Sequence, residues 1–285
     1  MKTQPQFFTH HPREWQDFTW VYPVISRRAK GLSIGINLNV DGQCNFDCVY
    51  CCVDRSQAIA QPHFDPEHLR FELESLFKSV QDGTLWNHPR FCDVPLELRA
   101  IRDISFAGNG EPTLHPQFGE ACRVVREVQS SKDFFFKVQL FSNATLLSTK
   151  SCRDALMCFD PQSFEIWAKL DNGDVDSHHK ISRTLTRLEI IQKNIVELSQ
   201  LYTTKLQSMW FESVNTPFSE ERRVAYIDFL KLILSQEAHI AEIQLYTIAR
   251  STAESDLSTL SREDLELFKR QINFHIPQVA CQIYT

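Results

Sequence analysis

The sequence predicts an α/β fold, and three observations support this prediction. Strand-like segments alternate with segments of helical periodicity, several strand-like segments have one polar face, and a group of cysteines directly follows the first of them. Strands that are separated by helices pair in parallel through right-handed crossovers. The 285 residues are enough for one large domain or two small ones.

Six short segments are predicted to be strands. They are residues 34–40, 103–107, 135–141, 164–170, 206–211 and 241–247. Six segments with helical periodicity are predicted to be helices, at residues 66–80, 116–130, 149–157, 185–201, 219–234 and 261–272. Ser219 and Ser261 each precede acidic residues, so we expect both to cap their helices.

Apolar and polar residues alternate along the strand-like segments. In the first segment, Ile34 and Ile36 lie on one face, whereas Asn37 and Asn39 lie on the other. Parallel strands that are covered by helices are usually apolar on both faces. A polar face therefore predicts a barrel or half-barrel whose lumen is wet or filled by a ligand. An open doubly wound sheet with a few polar edge residues is the alternative.

Composition and charge indicate where the protein acts. Thirty basic and 36 acidic residues give a net charge of −6, which disfavours non-specific binding to nucleic-acid backbones and anionic membranes. No stretch approaches the roughly 20 apolar residues of a membrane helix. The first residues carry prolines, histidines and charges where a signal peptide has an apolar core. We therefore expect a soluble, cytoplasmic protein without membrane partners.

Four cysteines crowd into nine residues of the segment DGQCNFDCVYCCVDR. The spacing Cys44-x3-Cys48-x2-Cys51 can ligate a soft metal, or three irons of a 4Fe–4S cube whose fourth iron stays open. Two alternatives remain. A structural zinc would need Cys52 as its fourth ligand, although adjacent ligands fit a tetrahedral site poorly. Cys48 and Cys51 alone could form a thioredoxin-like redox pair.

We do not expect the remaining cysteines and the paired histidines to take part in the chemistry. We expect the scattered cysteines to be small buried hydrophobic residues; they are Cys92, Cys122, Cys152, Cys158 and Cys281. We expect His10, His11, His178 and His179 to be exposed loop residues rather than metal ligands.

The sequence resembles a known family. The pattern CxxxCx(aromatic)C, with Tyr50 in the aromatic position, is similar to the signature of the radical S-adenosylmethionine (radical SAM) enzymes, and FAGNGEPT at residues 106–113 resembles their glycine-rich loop. The longer run from VYPVISRRAKG through the cysteines, with SNAT, KLDNGD and QLYTIAR, is similar to bacterial radical SAM proteins of the wybutosine-synthesis group of iron–sulfur oxidoreductases. The resemblance covers about residues 18–250. Cys52 departs from it, since a residue such as Gln is expected there.

The resemblance implies a fold and a cofactor site. It implies a partial (β/α)6 TIM-like barrel of the radical SAM type at residues 31–250, with an N-terminal extension at 1–30 and a C-terminal helix and tail at 251–285. The cluster would be a 4Fe–4S cluster on Cys44, Cys48 and Cys51, and S-adenosylmethionine (SAM) would chelate its open iron.

Further SAM contacts are implied residue by residue. The loop Gly108, Asn109, Gly110 and Glu111 would meet the amino group of SAM, because glycines allow close approach and a carboxylate pairs with an ammonium. Tyr50 would lie near the adenine, and Ser142 and Asn143 would face polar groups of SAM. Asp171 would bind the ribose, and Lys169 the SAM carboxylate or the substrate. For the residues at strand ends, a solvated position is the alternative.

The implied reaction is reductive cleavage of SAM to methionine and a 5′-deoxyadenosyl radical, which abstracts hydrogen from an unidentified substrate. Lys169 and Cys52 are the catalytic candidates, and flavodoxin or ferredoxin is the expected electron donor. One substrate class is a nucleotide or tRNA base, with phosphate contacts from Arg27, Arg28, Lys30 and Arg250. RNA is not favoured by the net charge. A small metabolite or a peptide or protein partner is the other class, and an iron–sulfur sensor without catalysis is the competing function.

Overall fold

All six predicted strands and all six predicted helices are present in the computed structural model, with ends shifted by a few residues. The structure describes residues 7, 12–55, 59–250, 252 and 254–285. The chain forms two compact units. The first contains residues 1–43, 58–140 and 150–164, and the second contains residues 44–57, 141–149 and 165–285.

The first unit is built on strands β1 to β4. They span Val21–Ser26, Gly31–Ile36, Ile101–Phe106 and Lys137–Ser142, and the last two residues of β4 belong to the second unit. β1 and β2 form an antiparallel hairpin, whereas β2 pairs in parallel with β3 and β3 with β4. β1 was not predicted, because its Pro23 argues against a strand. β1 lies at the sheet edge, where a proline is tolerated.

Three helices cover the first unit. They are α1 at Pro66–Gln81, α2 at Phe118–Ser130 and α3 at Lys150–Leu156. The side chain of Asp65 accepts a hydrogen bond from the backbone N–H of Glu67 and so caps α1. Glu72 on α1 is fully buried and accepts backbone hydrogen bonds from Trp20 and Val21, at 2.9 and 3.0 Å. A buried carboxylate thereby anchors the start of β1.

The second unit is built on parallel strands. They are β5 at Phe164–Lys169, β6 at Thr203–Met209, β8 at Ile240–Tyr246 and β10 at Ala280–Tyr284, paired in that order. Two short strands, β7 at Phe211–Glu212 and β9 at Ser258–Thr259, pair with each other in antiparallel fashion. The helices are α4 at Val175–Ser182, α5 at Leu188–Ser199, α6 at Glu220–Leu234 and α7 at Arg262–His275.

The predicted helix caps are confirmed. The Ser219 hydroxyl accepts from the backbone N–H of Arg222 at 3.3 Å. Ser261 and Asp264 form a reciprocal capping box at the start of α7. Helix α4 was not predicted; it begins at the cap Asp174, whose carboxylate accepts from the backbone N–H of Ser177 at 2.8 Å.

The polar faces of the strands are also confirmed, and much of their hydrogen bonding is internal. In the first unit, Asp103 accepts hydrogen bonds from Ser33 and Ser105, and the Ser105 hydroxyl oxygen also lies 3.3 Å from Oε1 of Gln139. Register places Ser33 beside Asp103 and Ser105 beside Gln139. These polar groups therefore pair with each other along the strands.

A second polar row crosses the strands of the second unit. Gln207 donates to Gln244 at 3.2 Å, and the Tyr246 hydroxyl donates to Gln244 at 2.6 Å. Lys205 pairs with Glu165 at 3.3 Å. Internal pairing removes the cost of burying these groups.

The predicted three-part division into residues 1–30, 31–250 and 251–285 stays a prediction. Residues 1–6 and 8–11 of the N-terminal part lie outside the described residues. The tail contributes β10, in which Cys281 lies beside Ile243 of β8. Within the described part of the chain, no helix is both long and apolar enough to cross a membrane.

Candidate functional site

The cysteine loop, defined as residues 44–52, has no helix or strand and is fixed by the end of α4. The backbone N–H groups of Asp47 and Val49 donate to the carbonyls of Ser182 and Ile181, both at 3.0 Å. The last carbonyls of a helix have no partner within it. The loop therefore satisfies the carboxyl end of α4 and is held in place by it.

Asparagine side chains surround the first cysteine. The sulfur of Cys44 lies 3.4 Å from the backbone N–H of Phe46 and 3.9 Å from Nδ2 of Asn143. Asn143 also donates to Oδ1 of Asn45 at 2.6 Å. N–H groups near sulfur favour the thiolate form that binds iron. The structure thus brings Asn143 to the cysteine loop.

Tyr50 is anchored by a buried carboxylate. Its hydroxyl donates to Oδ2 of Asp171, while Oδ1 of Asp171 accepts from the backbone N–H of Met209 at 2.7 Å and pairs with Nζ of Lys169 at 3.0 Å. Nζ of Lys169 also lies 5.1 Å from the centre of the Tyr50 ring. Burial and the charge of Asp171 raise the pKa of Tyr50 well above its ordinary value, so the hydroxyl keeps its proton. Three of the predicted site residues therefore contact one another.

The environment of Cys48 favours its protonated form. Burial, reinforced by the negative charge of Asp171, raises the pKa of the Cys48 thiol to about 12, and a hydrogen bond with Tyr50 partly opposes the rise. The thiol is therefore protonated at neutral pH in the metal-free chain. Binding of a metal would have to displace that proton.

The chemistry of the donor set is compatible with an iron–sulfur cluster. Cys44, Cys48 and Cys51 are half-buried cysteines that form no disulfide. Within the ranges that the structure describes, no three His, Cys, Asp or Glu side chains are grouped as ligands of one metal ion. A cube presents a different iron to each cysteine, so its three thiolates need not meet at one point.

The GNGE loop, defined as residues 108–111, packs tightly on the chain that leads to the first cysteine. A Cβ added at Gly108 would lie 2.1 Å from Oδ1 of Asn37, and one at Gly110 would lie 1.9 Å from the carbonyl oxygen of Gln43. The backbone N–H groups of Asn109 and Glu111 donate to those same two oxygens, at 2.9 and 3.0 Å. The glycines are thus required by close backbone packing against residues 37–43.

Glu111 is 3% exposed and caps the turn that follows it. Its Oε1 accepts from the hydroxyl of Thr113 at 2.6 Å and from the backbone N–H of Thr113 at 3.3 Å. Its negative charge, after burial, helps to raise the pKa of Cys152 to about 12. The carboxylate is therefore held in a fixed position, as a group that receives an ammonium should be. In the same loop, Oδ1 of Asn109 accepts from Arg13 at 2.7 Å.

The segment SNAT, residues 142–145, is locked in a strained turn. Ala144 has a positive φ of 64°, and its N–H donates to the hydroxyl of Ser142 at 3.0 Å. Asn194 on α5 donates to the carbonyls of Ala144 and Thr145, at 2.7 and 2.9 Å. The role of Asn194 as a support of this turn was not predicted, because an asparagine within a helical segment gives no sign that it is buried.

Three of the four predicted phosphate contacts lie at the amino end of β2, whereas the GNGE loop lies at the carboxyl end of its neighbour β3. Arg27, Arg28 and Lys30 occupy the turn before β2, at its amino end. The GNGE loop follows the carboxyl end of the parallel strand β3. Arg250 alone follows the carboxyl end of its strand, β8. The structure does not bring the first three to the GNGE loop.

Other expectations need correction. His178 is not an exposed loop residue, because it lies on α4 and is only 3% exposed. The centre of its ring lies 5.8 Å from that of the Phe46 ring, and its Nε2 lies 2.9 Å from the carbonyl oxygen of Thr186. His179 is exposed but also lies on α4. Among the scattered cysteines, Cys92 is exposed and Cys158 is half-buried, whereas the other three are buried as predicted. Cys52 is exposed, with its sulfur 3.8 Å from the carbonyl of Tyr50.

Comparison with known proteins gives relatives at low identity. No family model matches the chain. A UPF0026 protein of Helicobacter pylori strain J99 is 27% identical over 246 residues, which cover 84% of this chain and 65% of that protein. A UPF0026 protein of Methanocaldococcus jannaschii is 28% identical over 215 residues, 73% of this chain and 58% of that protein. The chain thus spans less than two thirds of the length of these relatives.

Solved structures identify the fold. A radical SAM methyltransferase from Sphaerobacter thermophilus matches with a TM-score of 0.65 at 10% identity, over 93% of this chain and 68% of its own. Streptococcus suis SuiB bound to S-adenosylmethionine matches with 0.61 at 13% identity, over 91% and 52%. TYW1 with a lysine–pyruvate adduct matches with 0.59 at 16% identity, over 85% and 73%. The chain therefore has the fold of these radical SAM enzymes, as predicted, and it is similar in sequence to the UPF0026 proteins.

Proposed function

We propose that the protein is a radical SAM enzyme. The observation that carries this proposal is the cysteine loop: three half-buried cysteines with the spacing of the family signature, on a chain with the family fold. A 4Fe–4S cluster, when bound, supplies the electron that cleaves SAM to methionine and a 5′-deoxyadenosyl radical. Cys44, Cys48 and Cys51 would hold that cluster.

The chain's own polar groups would bind and orient SAM. The fixed carboxylate of Glu111 is suited to the SAM ammonium, next to Gly108, Asn109 and Gly110. Ser142 and Asn143 end β4, and Lys169 and Asp171 end β5, so all four offer polar groups at strand ends for the carboxylate and ribose of SAM. Tyr50, held by Asp171, would lie beside the adenine.

Two residues are candidates for contact with the substrate. Lys169 pairs with Asp171 and is therefore held as a cation that can orient a carboxylate or carbonyl. Cys52 is exposed next to Cys51, so its thiol can reach a bound molecule. Both roles belong to this proposal.

The substrate class is proposed in two forms. The resemblance of the sequence to the wybutosine-synthesis group favours a nucleotide or tRNA base. The net charge of −6 and the position of Arg27, Arg28 and Lys30 at the amino end of β2 favour a small metabolite or a peptide or protein partner. A cytoplasmic location, with flavodoxin or ferredoxin as electron donor, suits an exposed cysteine thiol and a low-potential cluster.

Anaerobic reconstitution tests the proposal. The protein is loaded with iron and sulfide, then given SAM and a strong reductant, and 5′-deoxyadenosine and methionine are measured by mass spectrometry. We expect both products from the wild type and neither from a variant with Cys44, Cys48 and Cys51 replaced by Ala. Cys92→Ala, which removes an exposed cysteine elsewhere, is the matched control. A stable cluster that never cleaves SAM, with either substrate class added, would indicate the iron–sulfur sensor instead.

A further inference from the structure

Asp171 joins three segments of the second unit. Its Oδ2 accepts from the Tyr50 hydroxyl of the cysteine loop, and its Oδ1 accepts from the backbone N–H of Met209 at the end of β6, at 2.7 Å. The same Oδ1 pairs with Nζ of Lys169 at the end of β5, at 3.0 Å. The carboxylate is 4% exposed. A single buried side chain thus ties the loop to the ends of two strands.

These contacts use most of the hydrogen-bonding capacity of Asp171. Each carboxylate oxygen accepts about two hydrogen bonds. Oδ1 is therefore filled by Met209 and Lys169, and Oδ2 keeps room for one donor besides Tyr50. A buried carboxylate with three donors is held in one orientation. Its contacts are those of a fixed anchor.

The anchor reaches the cluster ligands through Tyr50. Tyr50 lies between Cys48 and Cys51, and the backbone N–H of Cys51 donates to the carbonyl of Cys48 at 2.9 Å, which closes a turn around it. The side chain of Tyr50 lies on this turn, and its hydroxyl donates to Asp171. Fixing the Tyr50 side chain therefore fixes the turn that carries both thiols.

We propose that Asp171 is a positioning residue, which anchors the Tyr50 hydroxyl and so holds the turn from Cys48 to Cys51 in the shape that presents both thiols to an iron–sulfur cluster. The cluster part of this inference rests on the proposed function, whereas the anchoring is a property of the metal-free chain. The competing role is the one expected from the sequence, in which Asp171 acts by direct contact with the ribose of SAM.

A double-mutant cycle in the metal-free chain separates the two roles. The variants are Tyr50→Phe, Asp171→Asn and both together, and the rate of iodoacetamide labelling at Cys48 and Cys51 is followed anaerobically by mass spectrometry. Loss of one anchoring hydrogen bond should speed labelling at Cys51 by about fivefold, whereas the rate at Cys48 also reflects the direct effects of Asp171 and Tyr50 on the pKa of its thiol. The double variant should label no faster than the faster single variant, because both changes break one contact.

Two controls show that the effect is local. Tyr246→Phe removes a tyrosine hydroxyl of the same unit that donates to Gln244 at 2.6 Å, and labelling of the cysteine loop should stay at the wild-type rate. Labelling of the buried Cys122 should stay slow in every variant, since global unfolding alone would expose it. Equal acceleration at Cys122 and Cys48 would overturn the local anchoring.

The reconstituted protein supplies the second readout. If Asp171 positions the loop, the electron paramagnetic resonance spectrum of the reduced cluster should change in both single variants before SAM is added, and not in Tyr246→Phe. If labelling and spectrum are unchanged and Asp171→Asn only raises the Kd for SAM, in wild-type and Tyr50→Phe backgrounds alike, the positioning role is wrong and the ribose contact is right. Failure of the proposed function looks different: the wild type itself would take up no cluster or cleave no SAM.

Discussion

The cysteine loop and the GNGE loop both follow strands, yet they are fixed by different means. The cysteine loop is held by side chains and by the end of α4, with anchors at Asp171 and Ile181. The GNGE loop is held by its own backbone, pressed so closely on Gln43 that no side chain fits at Gly110. Side-chain anchors can be removed one at a time, whereas a close backbone approach fails with one added carbon. The two loops should therefore respond differently to mutation.

Loss of a thiol should have the largest effect. Cys48→Ala should abolish the visible iron–sulfur absorbance after reconstitution, because a cube needs all three cysteine ligands. Iron and sulfide content per chain is the measurement, with Cys92→Ala as the matched control. Full iron content in Cys48→Ala would contradict the ligand assignment.

Gly110→Ala tests the backbone packing of the GNGE loop. The added Cβ would meet the carbonyl oxygen of Gln43 at 1.9 Å, so we expect a loss of about 1–3 kcal/mol or more in the free energy of unfolding. Gly119→Ala, on helix α2, is the matched control, because its added Cβ would lie 3.4 Å from the Cβ of Ala155, an ordinary contact distance. Replacement of a helical glycine by alanine should raise the free energy of unfolding by about 0.5–1 kcal/mol. Urea denaturation measures both. The packing argument would be wrong if the two variants were equally stable.

Substitution of Glu111 tests whether SAM binding needs its negative charge or whether the residue only caps the turn that follows it. Glu111→Gln keeps an oxygen for Thr113 but removes the negative charge, so we expect SAM affinity to fall about tenfold while the cluster is spared. Equilibrium dialysis with labelled SAM gives the Kd. Were Glu111 only a cap, Glu111→Gln would bind SAM like the wild type and Glu111→Ala would only lose stability.

We expect the smallest effect on stability from a fall in pH. Burial lowers the pKa of His178, which packs on Phe46 of the cysteine loop. The unfolded chain therefore takes up the proton first as the pH falls through about 6.5, and the folded state loses stability below that pH. We expect the wild type to lose up to about 1 kcal/mol more than His178→Gln between pH 7 and 5. Parallel pH profiles of unfolding in the two proteins would remove His178 as the cause.

Local patterns predicted much of the fold and the chemistry of the loops. Alternation along 34–40 and 241–247, and the caps Ser219 and Ser261, depend on neighbours in sequence, which is why they were recovered. The strand β1 was missed because Pro23 is tolerated only at a sheet edge, and edge position is not visible locally.

The supports of the site could not be predicted, because they depend on distant residues. Asn194 looks like any polar residue of a helix, yet it closes the SNAT turn from 50 residues away. His178 gave no sign of burial, since its contact with Phe46 requires α4 and the cysteine loop to be folded together. The signature fixed which residue types are present, and tertiary contacts decide how they are held.

The sequence distance between the cysteine loop and its anchors has a consequence for biosynthesis. Tyr50 and Asp171 are 121 positions apart, and Asp47 and Val49 bond to the end of α4 at Ser182 and Ile181. A growing chain that has released the cysteines from the ribosome still lacks Asp171 and the end of α4 until α4 has emerged. If the loop holds the proposed cluster, we therefore expect its insertion to follow the folding of the second unit.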